Sequence, residues 1–481
     1  MKKIMIILCV LAVIIACHQG NKGSVKSTAE SSGNFCDSTV SDNLCSVIPI
    51  DVHEVFSIGY LSNLDSAAQQ PIDTFSWKTF VALNWPADSA GHPIGTSIGD
   101  SPNAPRVWEH YKDPAEIFGH PVQGLVLRLG SAKQSGQKFF YMDSKAPHPL
   151  LSANTVDLRK LNGFKEADGH PLIDRNLNFV LYEIKMNPIE SKFVVDSNLN
   201  TYQGIYKYAS GNKNAINLPA SDVTTKNVGS MEIKASWRIL VPALGDDTTR
   251  YYCRKATIYI DSAHTRNHQP LILTNVQVGL VGMHIIRKTN KLAQKELWST
   301  FEHVDNVPDN LQEAQDNGKR WSFYNDSCLN CMPNDTPVTL AGDNGQYIWE
   351  TKMPYAHKYG VKAPSQAITD SFGTQAVRVY PIYKYTEMIN KVWQAKLQGT
   401  VWANYRLIGS QWFKSTGPNS PTAPNNLANT TLETYIQVDA SCIGCHSYAA
   451  ILYNNNTDTV STNLSFIFPS YVKNPALLKH K

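Results

Sequence analysis

Cys442-Ile-Gly-Cys445-His446 is a stretch whose residue types and spacing specify a chemistry. Two thiols three positions apart can each reach one vinyl group of a porphyrin and close a thioether. The adjacent imidazole then lies below the iron as its proximal ligand. Gly444 lets the backbone run close to the ring. The spacing predicts one covalent haem c, held by Cys442, Cys445 and His446, with His446 on the iron. The plainer alternative is a Cys442–Cys445 disulfide with an incidental histidine.

The other axial position is open to several residues. No methionine follows His446, so the candidates lie upstream: Met283, His284, His303, Met353 and His357. His284 sits in a strand-like run and is the distal candidate carried forward, although a buried, hydrogen-bonded histidine is the ordinary occupant of such a place. His303, between Glu302 and Asp305, reads as a solvated polar strand end. Met353 lies in a loop-like segment with His357.

Nine cysteines are present. Cys36 and Cys45 flank a polar loop and would close it as a disulfide. Cys328-Leu-Asn-Cys331 is followed by Met332 rather than histidine, so a second haem would lack its proximal ligand. A small structural disulfide is the expectation there. Cys253 has no assigned role, and no Cys/His set has zinc spacing.

The chain opens with Met1-Lys2-Lys3 and an apolar run from Ile4 to Ile15, then Ala16-Cys17. About a dozen apolar residues suit a signal peptide better than a permanent membrane span. The ending resembles the lipobox of bacterial lipoproteins, which implies cleavage before Cys17 and acylation of that cysteine. Loss of Lys2 and Lys3 takes the net charge from +4 to +2. Gln19–Asn34 is polar and reads as a flexible tether. The expected organisation is a signal peptide over 1–16, a lipidated cysteine and tether over 17–50, a body over 51–420 and a haem c attachment segment over 421–481. The body then lies in the bacterial cell envelope, on the periplasmic side or at the cell surface. There both disulfides and covalent haem attachment are feasible.

Positioning elements can be read from pattern. A helix is expected over Asp73–Trp85, capped by Asp73 or Thr74, and a further helix within Arg106–Phe118. Leu125–Leu129, Phe179–Ile184 and Ala256–Ile260 read as strands. Val276, Val278, Leu280, Gly282, His284 and Ile286 alternate on one strand face, and Val281, Met283 and Ile285 on the other. A helix is expected over 384–398, closed by Gly399, and a strand over Val401–Phe413. A short helix starting at Thr430 is expected to run into the haem motif. Strands without a regular alternation of helices argue against a parallel βαβ sheet. The fold class is therefore α+β, strand-rich and mainly antiparallel, with a short helix carrying the C-terminal motif. With 42% hydrophobic and 17% charged residues the chain can build a core. The absence of a dense Lys/Arg stripe argues against nucleic acid as a partner.

Across residues 75–471 the chain resembles large bacterial exported proteins described as cytochrome c family proteins. The resembling segments are Phe75–Pro86, Gly279–His284, Trp298–Pro308, Val401–Tyr405 and the haem motif. The resemblance implies a haem protein and names no substrate. The expected function is a lipid-anchored c-type cytochrome that transfers electrons to or from an unidentified redox partner. A haem-dependent, peroxidase-like oxidoreductase is one alternative; whether the chain is an enzyme stays open. The other is a haem-free envelope binding lipoprotein using the 10 Trp and 22 Tyr as aromatic platforms.

Overall fold

The computed structural model describes residues 43–52, 66–118, 138–142, 166–290, 292, 295–316, 318–328, 331–361, 371–413, 422–453 and 458–472. Expectations at Cys17, at Cys36 and at Leu125–Leu129 lie outside these residues. All the described residues belong to one unit, Asp37–Lys481.

An eight-stranded sheet organises the chain. Its strands are β1 (Lys138–Met142), β2 (Leu181–Met186), β3 (Met231–Ile239), β4 (Cys253–Ile260), β5 (Leu271–Thr289), β6 (Lys295–His303), β7 (Tyr405–Phe413) and β8 (Thr422–Ala423). The path runs β1-β4-β5-β6-β7-β8, with β3 also paired to β5 and β2 to β3. Every pairing is antiparallel except β1 with β4. A separate hairpin joins β9 (Ala450–Tyr453) and β10 (Asp458–Ser461). The α+β, mainly antiparallel expectation holds.

Long β5 departs from simple alternation. Its partner β3 shifts register between Ser236, opposite Gly282, and Trp237, opposite Leu280, so Val281 is the extra residue of a β-bulge. A bulge changes the phase of the pleat. Val278 and Leu280 therefore join Met283 and Ile285 in the main core, while Val281 packs in a different cluster. The face expected for Val276 through Ile286 is thus two faces. The bulge turns Gly282, His284 and Ile286 away from the core that holds Leu280.

The main core covers one sheet face. The helix Ser66–Leu83 starts earlier than its sequence suggests, because Pro71 lies inside it instead of before it. Asp73 is consequently not a cap; it is fully buried and accepts bonds from Gln69 (2.8 Å) and Thr386 (2.6 Å). Trp77 meets Phe301 edge-on at 5.1 Å and Phe80 stacks on it at 4.2 Å. The helix Lys384–Lys396 adds Trp393, whose ring is parallel to Trp77 at 6.0 Å. Gly399, at φ +81°, follows that helix. Val401–Asn404 is a 3₁₀ turn, and the strand begins only at Tyr405.

The C-terminal segment crosses the opposite face. Asn429 donates to Thr300 Oγ1 (2.8 Å) and the Phe301 carbonyl (2.9 Å), and Thr430 N–H donates to Glu302 (2.5 Å). Thr431 Oγ1 and Ser236 Oγ are 2.7 Å apart. A Cβ at Gly282 would come 2.1 Å from Thr431 Oγ1 and 2.6 Å from Ser236 Oγ. Gly282→Val should therefore destabilise the fold by about 1–3 kcal/mol through overpacking and push the 429–433 segment off the sheet. Chemical denaturation checks this; an unchanged midpoint would show that the close approach is not needed.

Candidate functional site

On β3 and β5 the residues Glu232, Lys234, His284 and Ile286 share one pleat face, with Glu232 opposite Ile286 and Lys234 opposite His284. Trp298 of β6, opposite Ile286, joins them. In most sheets such a polar-alternating face meets solvent. Here it forms one wall of a cavity with about 1280 Å³ of empty space, its mouth included. The other wall comes from Leu427, Ile436 and Ala440, the motif residues Cys442, Cys445 and His446, and Phe466–Ile467.

The motif forms its own short helix, Cys442–His446, separate from the 3₁₀ turn Thr434–Ile436 before it. Ser441 caps it, its hydroxyl accepting from Gly444 N–H at 3.2 Å. Gln411 of β7 fixes it to the sheet: its Oε1 accepts from Ile443 N–H at 2.9 Å while its Nε2 donates to the Pro424 carbonyl at 2.7 Å. Both motif cysteines are free thiols in the cavity wall. Cys328 and Cys331, at the same spacing, form a disulfide. Burial pushes the Cys442 thiol well above its usual pKa and raises that of Cys445. At neutral pH both are protonated, unlike the low-pKa thiols of redox-active dithiol pairs.

The His446 ring is fixed in one orientation. Its Nδ1–H donates to the Leu464 carbonyl at 2.6 Å, which leaves Nε2 as the lone-pair nitrogen. Trp298 and Phe466 hold the ring, with centroids at 5.1 and 4.9 Å. Loss of bulk water lowers its pKa to about 4, with the bond to Leu464 opposing, so the ring is neutral at pH 7. Leu464 itself sits at φ +64°, beside Asn463 at φ +56°. A leucine in the left-handed region costs on the order of 1–3 kcal/mol; here that backbone delivers the carbonyl to the imidazole.

His284, from the opposite wall, lines the same cavity and is buried. Its Nε2 lies 3.2 Å from Glu433 Oε1, a buried carboxylate contact outside ideal hydrogen-bond angles. Burial pushes the Glu433 carboxyl up, but His284 and Lys234 beside it outweigh burial and hold it below its ordinary value. Glu433 Oε2 also accepts from Asn429 N–H at 2.9 Å, so the capping-box glutamate reaches Asn429 and not Thr430. Lys234, its pKa lowered by burial, lies 5.4 Å from the Tyr182 ring.

The remaining sequence candidates lie elsewhere. Met283 faces the main core, where Asn84 Nδ2 approaches its sulfur at 3.8 Å. His303 is fully buried, not a solvated strand end. Its Nε2–H donates to the Arg250 carbonyl (3.0 Å), its Nδ1 accepts from Asp305 N–H (3.1 Å), and it stacks on Tyr251 at 3.9 Å. Met353 and His357 are outside the cavity wall, and Met353 is exposed. Cys45 is disulfide-bonded. Cys253 is a free thiol, donating to the Thr248 carbonyl at 3.3 Å. All ten tryptophans are buried, so none forms an exposed aromatic platform.

Sequence reasoning missed Lys234, Glu433, Trp298 and the whole of β3. The alternation Met231-Glu-Ile-Lys-Ala-Ser-Trp237 was the available signal.

The residues present fit a haem: an apolar cavity, two unbridged thiols, a neutral His446 imidazole whose Nε2 carries the lone pair, and a second imidazole, His284, beside Glu433 in the wall of the same cavity. Among the described residues no group of three or more His, Cys, Asp or Glu side chains could hold a bare metal ion. A haem asks the protein for only one or two axial groups. Comparison with protein-family models, curated proteins and solved structures found no match.

Proposed function

We propose that this chain is an exported, lipid-anchored c-type cytochrome that carries one covalent haem and transfers single electrons in the bacterial cell envelope, like the cytochrome c family proteins it resembles. One observation carries the reading: Cys442, Cys445 and His446 line one apolar cavity with His284. Cys442 and Cys445 would hold the porphyrin through thioethers, His446 Nε2 would ligate the iron, and His284 would be the candidate for a second ligand. A bound haem supplies a one-electron couple whose potential depends on axial ligands, local dielectric and hydrogen bonds. The chain's own part is to keep water off the ring, to fix the His446 tautomer through Leu464 and to hold Glu433 ionised beside His284.

The test is a pyridine haemochrome spectrum and intact mass of protein made with haem-maturation machinery. One haem per chain is expected. No haem would sink the reading, and a second haem on the 328–331 peptide would overturn the disulfide assignment there. A second reading follows from Glu433 beside His284. With His284 unligated, the pair could serve as acid and base for a small oxidised ligand in a peroxidase-like reaction. A high-spin spectrum that binds carbon monoxide selects it; a low-spin spectrum with two imidazoles excludes it.

The anchor is tested separately. No described helix is long and apolar enough to cross a membrane. Cys17→Ser should abolish incorporation of a labelled fatty acid and release the protein from the membrane fraction. Label retained on the variant would show that Cys17 is not the acylated residue.

A further inference from the structure

Behind the cavity lies a second, much smaller void lined by Glu190, Ser230, Glu232, Lys288 and Glu296. Glu232 lines both spaces. All five side chains are at most 8% exposed. Glu190, from the helix Pro188–Asp196, is fully buried, and its carboxyl meets no N–H or hydroxyl donor; its hydrogen-bonding neighbour is the Glu232 carboxyl. Ser230 Oγ is unpartnered.

The charged groups facing this cluster can be counted by element. The helix brings Glu190, β3 brings Glu232, β5 brings Lys288, and β6 brings Lys295 and Glu296. The segment 463–465 brings only neutral groups: Asn463 donates to Glu296 and, with Asn217, accepts from Lys288 Nζ, each at 2.6 Å for the lysine. Two ammonium groups face three carboxyls. One carboxyl is in excess, and a buried carboxylate without donors or a cation is not sustainable. Glu190 is therefore protonated at neutral pH. Burial and the neighbouring Glu232 push its pKa well up, and burial raises those of Glu232 and Glu296.

We propose that the Glu190–Glu232 pair takes up one proton from solvent when the group in the adjoining cavity gains one electron, so that charge enters the protein as a neutral pair. This rests on the haem reading above. The electron comes from the external one-electron donor. The proton forms one O–H bond on a carboxylate oxygen of the pair, and no other bond changes. Before reduction the pair holds one proton and one negative charge; afterwards it holds two protons. The physical cause is the negative charge added in a low-dielectric cavity, which favours the neutral form of a carboxyl in its wall.

Two measurements test the proposal. The first is the midpoint potential between pH 5 and 9 for the full-length haem-loaded protein, Glu190→Gln and Glu232→Gln. One proton per electron lowers the potential by about 59 mV for each tenfold fall in proton concentration. The wild-type slope should approach that limit, and each variant should reduce it at least twofold. A slope unchanged in both variants would assign the proton to the porphyrin carboxylates or another group and overturn the proposal. The second is the infrared band of a protonated carboxyl at neutral pH, which needs no haem. Buried Glu166 and Glu296 contribute to that band as well, so the wild-type minus Glu190→Gln difference spectrum should show the loss of one protonated carboxyl; a difference spectrum without that band also overturns the proposal. A chain without haem removes the electron step and the coupling with it. That failure is read from the haemochrome spectrum, separately from the infrared band.

Discussion

Replacing both Cys442 and Cys445 with alanine is expected to abolish covalent haem completely. The denatured double variant should have the mass of the bare polypeptide, and acid-acetone should extract whatever porphyrin the folded protein retains. Each single variant should keep one thioether and a shifted haemochrome band. The expectation rests on the thiols themselves. They are unbridged in the cavity wall, and burial raises both thiol pKa values. Removing two sulfurs leaves the helix Cys442–His446 intact, because Ser441 and Gln411 hold it through backbone N–H groups. Circular dichroism should therefore match the wild type. Porphyrin mass persisting on the denatured double variant would mean another nucleophile carries the haem; Cys253 would be the first to examine.

His446→Ala should alter the iron more than any other single change. The thioethers can still form, but the axial nitrogen is lost, and with it a ligand whose basicity the Nδ1–H bond to Leu464 raises. Axial ligation commands a span of about 0.8 V in haem potentials, so a shift on the order of 0.1 V or more is expected. The visible spectrum should move with it. Stability should fall as well, since the ring is packed between Trp298 and Phe466. His284→Ala should also shift spectrum and potential, while leaving the proximal bond in place. Redox titrations of the two variants decide the axial assignments. If His446→Ala kept its covalent haem with unchanged spectrum and potential, another residue would hold the iron.

What the sequence made legible divides by the range of the interactions. Short-range pattern was readable: Ala256–Ile260 lies within β4, and the helix at 384–398 ends before Gly399. The Cys-x-x-Cys-His run was visible because its residues are adjacent in the chain, and all three side chains line one cavity. Phase was not. Nothing in Gly279-Leu-Val-Gly-Met-His284 announces that Val281 bulges, because a bulge is fixed by the partner strand. The cap expected at Asp73 or Thr74 put the start of the first helix too late: it begins at Ser66, with Pro71 inside it. His284 was one of five axial candidates, and only the pairing of β5 with β3 and β6 carries it to the motif. Lys234 and Glu433 were illegible for the same reason: their roles come from neighbours far away in the chain.

The cavity wall draws on Ala167, Ile184, Lys234, His284, Trp298, Leu427 and Tyr471. These contacts span most of the chain, so the space closes only after the longest loops have been closed, a slow step in folding. The attachment motif lies C-terminal to all eight strands of the main sheet. Residues 421–481 released alone would keep both cysteines and His446 but none of β3, β5 or β6. A porphyrin attached to such a fragment would have one face in water, without His284 opposite the iron. Attachment before the sheet has formed would produce that species on the full chain, with its couple set by solvent. On the haem reading, the order of strand closure and thioether formation would decide whether a given molecule acquires the buried or the solvent-set couple.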